Sequence, residues 1–345
     1  MRSSPLVAGS LRDARLALIG PRADAVLLWG APFAALLFVQ FWLGGFDRLA
    51  PPAIAHQGVT FLFAAIGVLT WAHLIAVAPR AYLNREVFAA YRRRLTLVPA
   101  LLLTLLLASP SALVIAGVVG IAWDVHHSAM QNFGFARLYD MKAGNPPALL
   151  RATDLRFNWL LYVGPLFAGA ALPLHLDHLM ELRATPLAAL TALPGIFEAH
   201  SAGVRGAAIL AYAGVLAWTV MDYAAAVRNG YRIPVHKLAA LAASGTVSIL
   251  AWGFAPPVVA LAIINLYHAV QYFALVWLKE GRGMRGQRGA VPAALVFGGS
   301  CALFGLAYAA AADRDPKWIL APFIACSLLH FWFDGFVWSV RRKQV

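Results

Sequence analysis

The sequence predicts an all-α, polytopic membrane protein, a bundle of about ten transmembrane helices with both termini in the cytoplasm. Three observations predict it. Of 345 residues, 61% are hydrophobic and only 12% charged, half the charged fraction of about 25% that soluble domains carry. The mean hydropathy is +0.71, and the apolar residues fall into runs near the ~20 needed to cross a hydrocarbon layer ~30 Å thick. The 28 Lys and Arg residues outnumber the 15 Asp and Glu, and they gather on alternate loops. This balance excludes a soluble enzyme, a disordered chain and a secreted disulfide scaffold.

Read with that ruler, the chain gives about ten runs: Ala25–Gly45, His56–Val77, Leu95–Leu107, Leu113–Ala136, Asn158–Leu174, Gly206–Ala226, Leu238–Phe254, Val258–Leu278, Ala290–Ala311 and Trp318–Val340. The third and fourth come from one long stretch whose single charge is Asp124. Ser109-Pro110-Ser111 divides it, since proline ends a helix and serine satisfies the freed backbone groups. Ala255-Pro256-Pro257 separates the seventh and eighth runs in the same way. Residues 1–24 then form a cytoplasmic N-terminal segment, 25–340 one transmembrane domain with its longest outer loop at about 175–204, and 341–345 a cytoplasmic tail. The first run is a full span without a small-residue cleavage site, so no cleavable signal peptide is expected. Cys301 and Cys326 lie inside the ninth and tenth runs and read as packing residues.

With ten spans, 23 of the 28 cations lie on one side. They are Arg2, Arg12, Arg15 and Arg22; Arg80, Arg85, Arg92, Arg93 and Arg94; Arg137, Lys142, Arg151 and Arg156; Arg228, Arg232 and Lys237; Lys279, Arg282, Arg285 and Arg288; and Arg341, Arg342 and Lys343. The other side keeps Arg48, Arg183, Arg205, Arg314 and Lys317. The positive-inside rule makes the crowded side cytoplasmic. The net charge of +13 is therefore an orientation signal, and no nucleic-acid partner is expected. The setting is an integral membrane, bacterial inner-membrane in type.

Polar residues within the runs are the functional signal, because an ionisable group at a helix centre costs ~2.5–3.5 kcal/mol on insertion scales and usually marks a site. His73, His126, His127, His268 and His330 lie inside runs, with Asp124, Gln131, Asp222, Gln271 and Asp334. His73 precedes the first cytoplasmic cation of its run by 7 residues, His127 by 10, and His268 and His330 by 11 each. At 1.5 Å per residue all four sit about 10–17 Å from the cytoplasmic charge layer. Asp124, His127 and Gln131 share one helix face, as do His268, Gln271 and Tyr272, and His330 with Asp334. His126 points about 100° away from His127, so it either joins a two-metal site or supports the ligands. Imidazoles at one depth with a carboxylate nearby are candidate ligands for iron, with zinc, copper or haem as other possibilities. The metal-ligand candidates are His73, His126, His127, His268, His330 and Asp334. Asp124, Gln131, Gln271 and Tyr272 are candidate catalytic residues, orienting oxygen or substrate. His175, His178, Glu181 and His200 in the outer loop form a weaker metal candidate, and His236 beside Lys237 is expected at the surface.

The runs His330-Phe331-Trp332-Phe333-Asp334 and Tyr267-His268-Ala269-Val270-Gln271-Tyr272 resemble the histidine-led motifs of membrane-embedded iron oxygenases, the Brp/Blh-type carotenoid dioxygenases being nearest in shape. The resemblance is confined to those short motifs. No Pro-His-Gly motif is present, nor are the HxxxH and HxxHH boxes of membrane desaturases. The resemblance implies an iron-dependent oxygenase or related oxidoreductase acting on a lipophilic substrate, served by an electron-donor protein if reduction is needed. Three other classes fit the same residues: a haem-binding electron carrier, an intramembrane zinc hydrolase, and a proton- or ion-coupled transporter using Asp124, Asp222 and Asp334.

Overall fold

A computed structural model describes residues 7–45, 52–286, 289–312 and 314–338. Arg2, Arg48, Arg288, Arg341, Arg342 and Lys343, the tail 341–345 and the end of the tenth run lie outside the described residues. The architecture is all-α. The described strands are β1 (Val7–Ala8) and β2 (Ile233–Pro234), which pair in parallel over two residues each.

The long helices follow the apolar runs: α1 (Pro21–Leu43), α2 (Pro52–Ile75), α3 (Arg85–Ala108), α4 (Pro110–Lys142), α5 (Arg151–Tyr162), α6 (Ser201–Arg228), α7 (Val235–Phe254), α8 (Pro257–Arg285), α9 (Ala290–Ala311) and α10 (Ala321–Val337). Proline sits at the first position of α4 and α8, where its missing N–H costs nothing. Eight helices, among the described residues, are long and apolar enough to cross a membrane. The third and fifth predicted runs are not among them. In α3 the cations Arg85, Arg92, Arg93 and Arg94 occupy the first half, and Tyr91 departs from helical geometry (φ −125°, ψ 18°), leaving a short apolar remainder. The fifth run breaks: Arg151–Ala168 and Leu172–Ala184 meet at 100°. Gly169 lies at the break, and a Cβ there would stand 2.4 Å from the Cα of Gly253. The two backbones touch, and the Ala171 N–H donates to the Gly253 carbonyl at 3.2 Å.

The chain divides into two compact units, Met1–Gln40, Val125–Asp177 and Ala192–His268 in one, Phe41–Asp124, His178–Thr191 and Ala269–Val345 in the other. The first unit packs Leu28, Trp29, Phe135, Tyr139, Ala240 and Ala243 as one apolar cluster. Beside it Asp24 accepts from the Leu18, Ile19 and Gly20 amides and from the Tyr139 hydroxyl. The same unit buries four full charges. Lys237 reaches Asp140 and Asp154 at 2.7 Å each, Arg137 reaches Asp140 at 2.6 Å and also pairs with Asp154, and the Tyr231 and Tyr223 hydroxyls donate to the two carboxylates. Two cations face two anions, so the group is neutral as a whole. His236, expected at the surface, is fully buried with its ring against Trp29 and Tyr139 at 5.1 and 5.5 Å, and Lys237, counted among the loop cations, is buried beside it. Lys237 is held inside because Asp140, already paired with Arg137 three residues earlier, also pairs with this cation of α7.

The second unit is built round Ala76, Val77, Tyr91, Tyr272, Val276 and Phe333. There α2 and α9 approach so closely that a Cβ on Gly305 would lie 2.1 Å from the Val68 carbonyl oxygen. Trp71 stacks on Tyr308 at 3.7 Å.

Lys237→Met would leave two buried carboxylates facing one cation, and breaking such a group costs ~3–5 kcal/mol. The expected result is a clear fall in the thermal midpoint of the purified protein. Arg205→Met, at an exposed position, is expected to leave it unchanged.

Candidate metal centre

His73 on α2, His127 on α4, His268 on α8 and His330 on α10 are buried, and their ligand-capable nitrogens all lie within 4.8 Å of one another. Among the described residues this is the group of His, Cys and acidic side chains with metal-ligand spacing. Two nitrogens bound to one ion at ~2.1 Å stand at most ~4.2 Å apart. The spacing of the four is close to that limit, so the group could hold a metal ion.

The first unit holds His127 and His268 edge-to-face, with ring centroids 4.9 Å apart. The Gln131 side-chain amide donates to the His268 backbone carbonyl at 3.3 Å, tying α4 to α8 one turn from His127. The second unit holds His73 and His330 edge-to-face at 5.2 Å. Nδ1 of His330 lies 3.0 Å from the Leu74 carbonyl oxygen. A carbonyl can only accept, so Nδ1 carries the proton and Nε2 presents its lone pair. This is the arrangement by which metal-binding histidines are oriented.

Asp334 lies one turn beyond His330, its carboxylate 3.8 Å from His330 Nε2. It accepts from the Tyr272 hydroxyl at 2.8 Å and from the Trp338 indole at 3.0 Å. The Tyr272 ring packs 4.7 Å from His330 and 6.0 Å from His73. Beyond Trp338, Arg80 stacks over the indole at 4.9 Å, donates to the Val337 carbonyl at 3.1 Å and pairs with Glu280 at 2.5 Å.

The remaining sequence candidates stand outside the four-residue group. His126 faces Trp159, with ring centroids 5.1 Å apart. Asp124 and Gln271 are buried, and neither belongs to the four-residue group. Asp222 pairs with Arg156 and accepts from Thr153 at 3.0 Å, while Arg156 covers the Trp218 ring. In the outer-loop candidate, His175 Nε2 is bonded to the Trp252 carbonyl and His200 Nδ1 to the Ile196 carbonyl. Both are structural contacts.

Sequence reasoning missed Trp338, Arg80 and Glu280. It also missed a polar chain in the first unit in which Asn132 donates to Tyr162 and the Tyr162 and Tyr267 hydroxyls share a hydrogen bond of 2.8 Å. The only available signal for the first three was that an acid, Glu280, sits within a basic stretch. Nothing in spacing marked the tyrosines.

No protein-family model matches the sequence, and no curated protein or solved structure matches it.

Tyr272→Phe removes one of the two donors to the Asp334 carboxylate, and a buried acceptor deprived of a partner costs ~1–3 kcal/mol. A lowered thermal midpoint with an unchanged elution volume is expected. Tyr212→Phe, in the first unit, removes no donor to Asp334 and is expected to leave the thermal midpoint unchanged.

Proposed function

We propose that this chain is an integral membrane protein that binds one metal ion through His73, His127, His268 and His330, iron being favoured, and acts as an oxygenase or related oxidoreductase on a lipophilic substrate. The observation that carries the reading is the convergence of four buried imidazoles from four helices. The membrane reading rests on the eight long apolar helices and on the large apolar side chains they leave uncovered, such as Leu210 on α6 and Leu295 and Leu303 on α9, each about 70% exposed or more. The one-sided cations of the sequence favour ten crossings with both termini cytoplasmic.

The donor set favours iron. Four neutral nitrogens complete the coordination of zinc and leave no position for the water that a hydrolase requires. An ion that accepts six ligands keeps two positions open. Edge-to-face ring contacts at 4.9 and 5.2 Å leave no slot for a porphyrin between the imidazoles. Spacing within 4.8 Å suits one ion better than two.

Iron held by the four imidazoles would supply oxygen activation. The chain's own residues have the other tasks. His330 is held in one tautomer by Leu74, and Asp334 is fixed by Tyr272 and Trp338. Phe331 and Phe333 are buried apolar neighbours on α10 that help keep water from the reacting centre. Asp334 and Tyr272, joined by a hydrogen bond, are the groups placed to hold and pass a proton.

Elemental analysis of detergent-purified protein tests the metal. About one transition metal per chain is expected, with no haem absorption, falling to near zero in His268→Ala and His330→Ala and retained in His126→Ala. Asp334→Asn is expected to weaken metal retention or activity ~10–100-fold, the usual effect of removing a group that orients a ligand. Metal-free wild-type protein with intact histidines would overturn the reading.

Single cysteines at Thr185 and Asn229, placed in a Cys301→Ala/Cys326→Ala background, test the orientation. Thr185→Cys is expected to react with a membrane-impermeant maleimide on intact cells, and Asn229→Cys only after permeabilisation. The reverse pattern would invert the topology.

A further inference from the structure

Within the second unit, α2, α8 and α9 leave an apolar groove of about 550 Å³, inside the ~300–1,000 Å³ range of small-molecule sites. Val68 and Ala72 of α2, Phe273 and Trp277 of α8, and Phe297 and Gly298 of α9 form its walls. The lining on α9 runs from Ala294 to Ala302, a length of ~12 Å at 1.5 Å per residue. Gly298 leaves the groove open, because a Cβ built there would meet nothing within 4 Å.

The Trp277 end is different in chemistry. The Arg285 guanidinium lies over the Trp277 ring, 5.8 Å from its centroid, and its Nε donates to the Gly281 carbonyl at 2.9 Å. Its position is thus fixed through one nitrogen. Among the described residues no carboxylate pairs with it, while Glu280, the nearest acid in sequence, is engaged by Arg80. Arg282, one turn earlier, is exposed and adds a second positive charge at the same end of α8. An apolar trough with a guanidinium lying over its Trp277 wall matches a molecule with a hydrocarbon chain and a terminal anion. Guanidinium is the side chain best suited to phosphate, which it binds through two parallel hydrogen bonds.

We propose that the groove binds an acidic glycerophospholipid of the cytoplasmic leaflet, an acyl chain against Val68, Ala72, Phe273 and Phe297 and the headgroup phosphate on Arg285. The proposal rests on the membrane reading and its orientation, and is independent of the metal. A zwitterionic lipid offers the same chain, but its own ammonium offsets the phosphate. The headgroup charge is therefore the discriminating variable.

Native mass spectrometry of the full chain tests this, with equimolar phosphatidylglycerol and phosphatidylcholine of identical acyl chains added in mild detergent. Retained phosphatidylglycerol is expected to exceed phosphatidylcholine. Arg285→Gln is expected to lower that ratio about fivefold, the factor that ~1 kcal/mol per cation near an anionic lipid surface represents. Gly298→Phe puts a ring into the groove from a position where a Cβ meets nothing within 4 Å, and is expected to lose both adducts. Elution volume and metal content of the same samples report folding and the metal reading separately, and sedimentation of the wild type with lysed-cell membranes reports the membrane reading. Equal retention of the two lipids by the wild type would overturn the proposal. So would adducts that survive both substitutions, or a dimer in place of lipid that Gly298→Phe dissociates.

Discussion

A polar side chain on a helix that is apolar on nearly every face has only one stable place, against another polar group inside the protein. That constraint organises both units. In the first it gathers Arg137, Lys237, Asp140 and Asp154 into a neutral group that fastens the end of α4 to the starts of α5 and α7. It also closes the entry to α1, where three backbone amides converge on Asp24. In the second it draws Arg80 across to Glu280 and the Val337 carbonyl, joining the chain after α2 to α8 and α10. Apolar contact alone has no preferred register between such helices, since one leucine packs much like another. The polar contacts supply the register, and the four imidazoles depend on it.

The positions of the histidines in sequence carried much of the candidate centre, because depth along a helix follows from residue count. His73, His127, His268 and His330 stand at similar distances from the nearest basic residues, and these four, without the adjacent His126, form the buried group. The separation of His126 from His127 is a consequence of helical pitch and was legible as an alternative, though its outcome was not. Length and composition likewise located the helices; the run Ala290–Ala311 coincides with α9 residue for residue. What lay beyond reach was pairing across the fold. Asp222 reads in the sequence as a candidate relay carboxylate, and its partners Arg156 and Thr153 are not legible there. Lys237 resembled a loop cation because nothing local shows that two carboxylates from other helices await it. The 100° break depends on Gly169 meeting Gly253, a contact between residues far apart in the chain.

The proposed metal chemistry draws its support from the way the ligands are held as much as from their number. An imidazole free to rotate binds many ions weakly. One whose Nδ1 proton is committed to a carbonyl offers a single nitrogen in a single direction. His330 has that commitment through Leu74, the residue that follows His73, so the backbone supporting one proposed ligand also orients another. Asp334 is restrained in a comparable way by two donors from different positions, Tyr272 on α8 and Trp338 beyond α10. A carboxylate so occupied is better suited to steering a proton or a ligand than to joining the ion itself.

The lipid groove and the second unit's imidazoles share walls. Ala72 lines the groove and His73 follows it; Phe273 lines the groove and Tyr272 precedes it. Consecutive helical residues point about 100° apart. A single turn of α2 and a single turn of α8 therefore present an apolar surface on one side and a polar, ligand-bearing surface on the other. An acyl chain in the groove would bear on Ala72 and Phe273, and through them on the helices that carry His73 and Tyr272. The lipid would then act on the centre through helix position, with no contact to the ion required.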